Sequence, residues 1–362
     1  MADDRKHVRP KWRRVLWGLS AVADVLAIAA VWGWWMMIHM PGPHFSGELP
    51  PLDANRGQLR DELRRDVRHL ATEIGPRDTA QRYEALRLAS DWIDAELSAA
   101  GYEVERQQYD VLGNTCDNLD AQITGTTRPE EIVIVGAHYD AVAHTFDNPA
   151  VGTPGANDNA SGMAALLALA RRFAGRKTER TLRLVAFTNE EPPYFQTDQM
   201  GSLVYARRCR SRGENLAAVV ILETLGYYTN RPDSQQYPPP FGAFYPSTGN
   251  FVAVVGNVGS RRLVRRVVDS FRRQGTFPCE GGAVPGNIDG VGWSDHWSFW
   301  QAGYEAVMLT DTAPFRYPYY HHTLDTPDKL SYDEMARVVD ALSGVIAELT
   351  GAVDEPQGGQ DR

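Results

Sequence analysis

The chain has 362 residues, 43% of them hydrophobic and 23% charged, enough for one α/β domain of about 300 residues with an appendage. Six of the 37 Lys/Arg and three of the 46 Asp/Glu fall in residues 1–40, leaving 31 basic against 43 acidic groups in the remainder. That acidic balance argues against nucleic acid as the main partner, because phosphate recognition needs a basic face. Cys116, Cys209 and Cys279 form no CxxC pair and so no thiolate metal cluster; free thiols and a single disulfide with one thiol left over both remain open.

Residues 15–38 form a largely apolar run whose only charge is Asp24, preceded by Arg5, Lys6, Arg9, Lys11, Arg13 and Arg14. Its length matches a membrane-spanning helix, and Trp32, Trp34 and Trp35 cluster at its far end, where interfacial aromatics belong. The expectation is a single-pass membrane anchor with a cytoplasmic N-terminus (residues 1–14) and a periplasmic or extracellular body. A cleaved signal peptide would have a shorter apolar core, and a buried core helix would not need the basic flank. Pro41, Gly42, Pro43, Pro50 and Pro51 make residues 39–56 an extended linker.

Helical spacing follows at 59–74 and 83–100, the second ending at Gly101. Strands are predicted at 102–111, 119–124, 132–137, 182–187, 217–222, 251–255 and 306–309, and helices at 160–173, 202–210, 261–274 and 332–349. Residues 227–250 read as an inserted loop and 352–362 as a tail. Continuous apolar strands alternating with helices predict an α/β domain over 57–351. Its expected core is a mixed, mostly parallel sheet covered by helices on both faces.

Such sheets place their sites beyond the carboxyl ends of the strands. His138-Tyr139-Asp140 follows the strand at 132–137, and Asn189-Glu190-Glu191 the strand at 182–187. Glu223 follows 217–222; Asp311 and then His321-His322 follow 306–309; the loop Gly155-Ala156-Asn157-Asp158-Asn159 lies between the first two. No strand delivers a GxSxG turn or a phosphate loop. A His or Asp at one strand end ordinarily caps a loop, but five such coincidences at one sheet edge ask for a cation, because crowded carboxylates otherwise repel and take up protons. Ser294-Asp295-His296 reads as pocket wall, His144 as a loop histidine, and Trp293, Trp297 and Trp300 as core or an apolar subsite.

The ordered set His138-x-Asp140, GANDNASG (155–162), NEEPPYF (189–195), LETLGYY (222–228), SDHWSFW (294–300) and YHHTLDTPDKL (320–330) resembles the di-zinc aminopeptidases of clan MH, relatives of aminopeptidase Y and bacterial leucyl aminopeptidase. The resemblance covers roughly residues 57–350 and implies a zinc-exopeptidase fold, peptide substrates and two Zn2+ ions. Carried over by position, it implies Asp158 as the carboxylate shared by both metals. His138 and Glu223 complete one ligand set, Glu191 and His321 the other, and Glu190 is the general base. Asp140 is expected to orient His138. His321 is chosen over His322 because the family ligand lies four residues before the Asp of the DT pair, here Asp325. Glu223 stands where many members carry Asp. The resemblance also implies a cis bond between Asp158 and Asn159. Alternatives within the same build are a carboxypeptidase, a single-metal glutaminyl cyclase, or an ectodomain that has lost its metals.

Overall fold

The computed structural model describes residues 11–45, 47–275 and 277–352, without the side chains of residues 11–18, 21 and 30. The expected cytoplasmic residues 1–10 and the tail from 353 onward lie outside the described residues.

Helix α1 (Lys11–Met37) is followed by α2 (Ala54–Arg68), which runs on through a wider turn to Ile74, and α3 (Tyr83–Ala99). Strands β1 (Val104–Val111), β2 (Asn114–Ile123) and β3 (Arg128–His138) precede α4 (Gly162–Phe173). Then come β4 (Arg180–Phe187), α5 (Gly201–Ser211), β5 (Asn215–Glu223), β6 (Val252–Asn257) and α6 (Arg261–Gln274). The chain closes with β7 (Cys279–Val284), α7 (His296–Gln301), β8 (Val307–Thr310) and α8 (Tyr332–Thr350).

The strands form one sheet in the order β1-β2-β4-β3-β5-β8-β6-β7. Its centre, β4-β3-β5-β8, is parallel, while β2 and β6 run antiparallel to their inner neighbours. Alternation along β3 divides the side chains between two faces. Val133, Val135 and Ala137 pack into the cluster built with α2, α3, α4, α6 and α8. Ile132 and Ile134 join Tyr205, Cys209 and Phe299 of α5 and α7 on the other face. Each fully buried Val, Leu or Phe contributes about 1.5–3 kcal/mol relative to exposure, so covering both faces is what stabilises the apolar strands.

The expected elements are present with end shifts of a few residues. Strand β7 and the short helix α7 were not expected. Cys-Glu-Gly-Gly-Ala-Val has no apolar run of its own and becomes a strand only by pairing with β6. All three cysteines are buried and free, so the disulfide alternative is not realised among the described residues.

The segment after α1 lies against the body. Met40 is buried, and the Arg272 guanidinium donates to the carbonyls of Met40 (3.3 Å) and Pro41 (3.1 Å). Trp35 lies within 5.1 Å of Arg261 and 5.7 Å of Arg265. Further back, Leu19, Val22, Val25, Leu26, Ile28, Val31 and Trp32 of α1 are 59–68% exposed. Among the described residues no helix is long and apolar enough to cross a membrane.

Candidate metal centre

The parallel strands deliver their carboxyl ends to one edge, and the chemistry collects there. His138 is the last residue of β3 and Glu223 the last of β5. Glu190 and Glu191 follow β4, while Asp158 and His321 arrive on the loops after β3 and β8. All six, with Asp140, are buried, none more than 8% exposed. The turns that aim them depart from ordinary backbone: Asn189, Thr224 and His321 have φ of 59°, 45° and 56°, a region non-glycine residues rarely occupy and one that clusters at functional sites. The Asp158–Asn159 bond is cis, as the family pattern implies.

Asp158 lies at the middle. Its Oδ1 is 3.4 Å from His138 Nε2 and its Oδ2 is 3.2 Å from His321 Nε2. His138 Nε2 is also 3.2 Å from Glu223 Oε2, and His321 Nε2 is 3.3 Å from Glu191 Oε2. Two groups of three buried donors that could each hold a metal ion therefore share one carboxylate: His138, Asp158 and Glu223, and Asp158, Glu191 and His321. Glu190 belongs to neither, its Oε2 lying 3.8 Å from His138 Nε2.

The donors fit zinc. Imidazole nitrogen and carboxylate oxygen are its usual ligands, and around a tetrahedral ion with bonds of about 2.0–2.1 Å neighbouring ligand atoms stand about 3.3 Å apart. The four separations of 3.2–3.4 Å match that spacing. Neither nitrogen of His138 has a hydrogen-bond partner, nor do His321 Nε2 and Glu191 Oε1, though all are buried. Buried polar atoms left unpaired are costly, and a cation in each donor group would satisfy His138 Nε2 and His321 Nε2, while His138 Nδ1 faces Asp140.

The electrostatics carry the same message. Burial pushes the carboxyls of Glu190, Glu191 and Glu223 upward, Glu223 to about 7, with neighbouring carboxylates adding to the effect. Burial alone would raise Asp158, yet its two imidazole neighbours hold it below the usual carboxylate range. Burial would lower His321, but Glu191 and Asp158 outweigh it and push the imidazole to about 10. Three glutamates forced toward neutrality and an imidazole forced toward charge describe a cluster short of positive charge.

Asp140 does more than face His138. Its Oδ1 is 3.5 Å from His138 Nδ1, a long contact, while its two oxygens accept the backbone N–H groups of Glu190 (3.2 Å) and Glu191 (3.1 Å). The carboxylate thus fixes the turn that carries both glutamates. Asp325 does the same for the central aspartate: its carboxylate accepts the backbone N–H of Asn157 (2.8 Å) and Asp158 (3.1 Å), and Tyr317 donates its hydroxyl at 2.8 Å. Ser294 donates to Glu223 Oε2 at 2.7 Å.

Arg77 was not singled out by its sequence context and is fully buried beneath the site. Its guanidinium donates to the carbonyls of Tyr139 (2.6 Å), Pro154 (2.8 Å) and Gly75 (3.1 Å). It thereby ties the turn between His138 and Asp140 to the approach of Asp158. Burial lowers this guanidinium to about 10, partly offset by the field of Asp140, Asp325, Asp158 and Glu191. Gly155 completes the approach at φ +62°, where a Cβ would lie 2.4 Å from the Asp158 carbonyl oxygen; any side chain there displaces the central aspartate.

The remaining candidates separate cleanly. His322 lies outside the centre, its Nδ1 3.7 Å from Asp147, and His144 is an exposed loop residue near the Pro149 carbonyl. Ser294-Asp295-His296 forms no triad, since His296 Nε2 contacts the Val291 carbonyl at 2.7 Å. Trp293 stacks near Phe315 at 6.4 Å and 17°. Both line a largely apolar cleft, open to solvent, that begins at Glu223 and Tyr320 and is walled by Tyr237, Phe241, Tyr245 and Phe251.

Residues 118–346 match the model of peptidase family M28. Protein YfbL of Escherichia coli (strain K12) is 36% identical over 283 residues, covering 78% of this chain and 86% of that protein. A probable zinc metalloprotease of Pyrenophora tritici-repentis (strain Pt-1C-BFP) is 25% identical over 80% of this chain, which spans 65% of that protein. Two crystal structures from Bacteroides thetaiotaomicron share the fold. A glutaminyl cyclase bound to N-acetylhistamine gives a TM-score of 0.61 at 18% identity, over 83% of this chain and 99% of that one. A leucine aminopeptidase precursor gives 0.60 at 18%, over 85% and 99%.

Proposed function

The chain belongs to peptidase family M28, a family of zinc metallopeptidases, and from that membership we propose that it is a two-zinc aminopeptidase removing N-terminal residues from peptides. One observation carries the number of metals: Asp158 presents a different carboxylate oxygen to each of two complete donor groups. A single-metal cyclase needs only one such group, so the double set favours hydrolysis.

His138, Asp158 and Glu223 would hold one ion, and Asp158, Glu191 and His321 the other. When bound, two zinc ions make a water molecule acidic and polarise the peptide carbonyl. Glu190, held by Asp140 through its backbone and free of both donor groups, takes a proton from the attacking water at its carboxylate and passes it to the departing amine. Asp325 and Arg77 keep Asp158 and His138 in mutual register. The aromatic cleft beside Glu223 receives the side chain of the first residue, so large apolar N-terminal residues are preferred substrates.

The test is hydrolysis of matched peptides with free and N-acetylated amino termini. Free-amine peptides with a bulky apolar first residue should be cleaved at least about a hundredfold faster, because an aminopeptidase has to recognise the free ammonium that acetylation removes. Equal cleavage of the acetylated series would sink the aminopeptidase reading, and cyclisation of N-terminal glutamine without hydrolysis would replace it with the cyclase one.

We also propose that α1 anchors the body at a membrane, with the body on the non-cytoplasmic side. Its exposed apolar side chains support this; the proposed span includes residues whose side chains are not described. Full-length protein should sediment with membranes and resist salt extraction, whereas a chain beginning at residue 39 should stay soluble. A soluble full-length protein would remove the anchor.

A further inference from the structure

One exposed aromatic side chain beside the centre takes no part in the arrangement above. Phe146 lies in the long connection between β3 and α4 and is 68% exposed. Its ring centroid is 5.3 Å from that of His321 and 5.9 Å from that of His322.

This position is held by several bonds. The Phe146 N–H donates to the His321 carbonyl at 2.9 Å. The next residue, Asp147, accepts from the Thr323 N–H at 3.0 Å and from the Thr323 hydroxyl at 2.5 Å. Thr153 donates its hydroxyl to the His322 carbonyl at 3.0 Å, and Thr145 donates to the Asn148 carbonyl at 2.7 Å, closing the turn around the phenyl ring. The loop is thus fastened to the segment that carries His321, and it holds a large apolar side chain in water next to one donor group. Folding that ring onto the body would be favoured by its apolar area; the bonds keep it out.

The His321 imidazole has a second aromatic neighbour. Tyr320 stacks on it at 3.9 Å and 20° and lines the apolar cleft, whereas Phe146 does not. A peptide with its first side chain in the cleft and its first carbonyl at the donor groups must leave the site along the rim. Its second side chain points away from the first, as in any extended chain.

We propose that Phe146 is a specificity-determining residue, the platform for the side chain on the far side of the cleaved bond, favouring aromatic and large aliphatic residues there. This rests on the aminopeptidase reading. A face-on or edge-on contact with a phenyl ring rewards an apolar partner and gives nothing to glycine.

The experiment compares kcat/KM for leucyl-phenylalanine and leucyl-glycine in the zinc-loaded wild-type chain, Phe146→Ala and Phe146→Leu. The wild type should prefer leucyl-phenylalanine by roughly tenfold or more, the scale of discrimination one apolar contact provides. Phe146→Ala should bring that ratio close to one, mainly through KM, and Phe146→Leu should restore part of it. In the Glu190→Gln background, calorimetric Kd values for the two dipeptides should converge in the same way when Phe146→Ala is added. A parallel loss on both dipeptides would mean that Phe146 only positions His321 and would overturn the assignment, as would an unchanged ratio or a wild type without preference. A wild type that cleaves neither dipeptide overturns the aminopeptidase reading itself, and Phe146 with it; cleavage of both with an unaltered ratio in Phe146→Ala overturns Phe146 alone.

Discussion

Glu190→Gln is expected to lose peptide hydrolysis by about a hundred- to ten-thousandfold in kcat, the usual contribution of a positioned general base, while its zinc content stays unchanged. Two glutamates stand side by side, and the geometry separates their work. Glu191 Oε2 lies 3.3 Å from His321 Nε2 and completes a donor group; Glu190 is in neither group, although Asp140 holds both backbones. Glutamine keeps the shape and removes only the ability to accept the proton. The substitution also takes one carboxyl from a crowd whose burial and mutual repulsion push Glu190 well above the ordinary carboxylate range, so the metal-free variant should unfold no earlier than the metal-free wild type. Metal analysis, steady-state kinetics and thermal unfolding on the same preparation check all three statements. Full activity in the variant would remove Glu190 from the base role. Loss of zinc together with activity would move it into a donor group.

Removing the metal should abolish activity and lower the unfolding temperature, with both recovering on addition of zinc. The cluster contains four carboxyls and two imidazoles with several unpaired buried atoms, so the folded chain without a cation bears repulsion and desolvation that a bound ion relieves. Zinc held at a thousandfold above its Kd would add about 4 kcal/mol to stability through preferential binding to the folded state. Asp158→Ala offers a second arm. The shared carboxylate serves both donor groups, so its loss should leave the protein in the chelated condition even in excess zinc. Loss of only one ion in Asp158→Ala would mean that the two groups do not depend on one carboxylate. An unfolding temperature indifferent to chelation would contradict the account of the cluster.

Much of the centre was readable in the chain. Each parallel strand of an α/β sheet ends at the same edge, so the residues after four apolar runs had to meet there whatever the loop lengths, and His138, Glu190, Glu191 and Glu223 are placed by that rule alone. Asp158 and His321 come from loops, where no periodicity speaks; there family spacing supplied the positions, and His321 and His322 could be told apart only by the distance to Asp325. The longer helices were legible for the usual reason, because one face of each must be apolar, whereas the six-residue α7 is too short to show a period. Strand β7 was not, since its sequence carries no such face and its pairing with β6 comes from a partner elsewhere in the chain.

What the tertiary structure alone decided is how the donors are held. Arg77 is one arginine among many in the sequence, and nothing local distinguishes it from a surface charge. Only in the fold does it lie buried, its guanidinium joining the turn after His138 to the approach of Asp158. Asp325 served in the sequence as a marker for counting back to His321; in the fold it grips the backbone of Asp158. Phe146 is an unremarkable loop residue until it is found beside His321. Strand ends are dictated by local hydrophobic pattern, which is written in the sequence at short range. Supporting contacts join residues tens to hundreds of positions apart, and such pairings exist only once the sheet has closed around them.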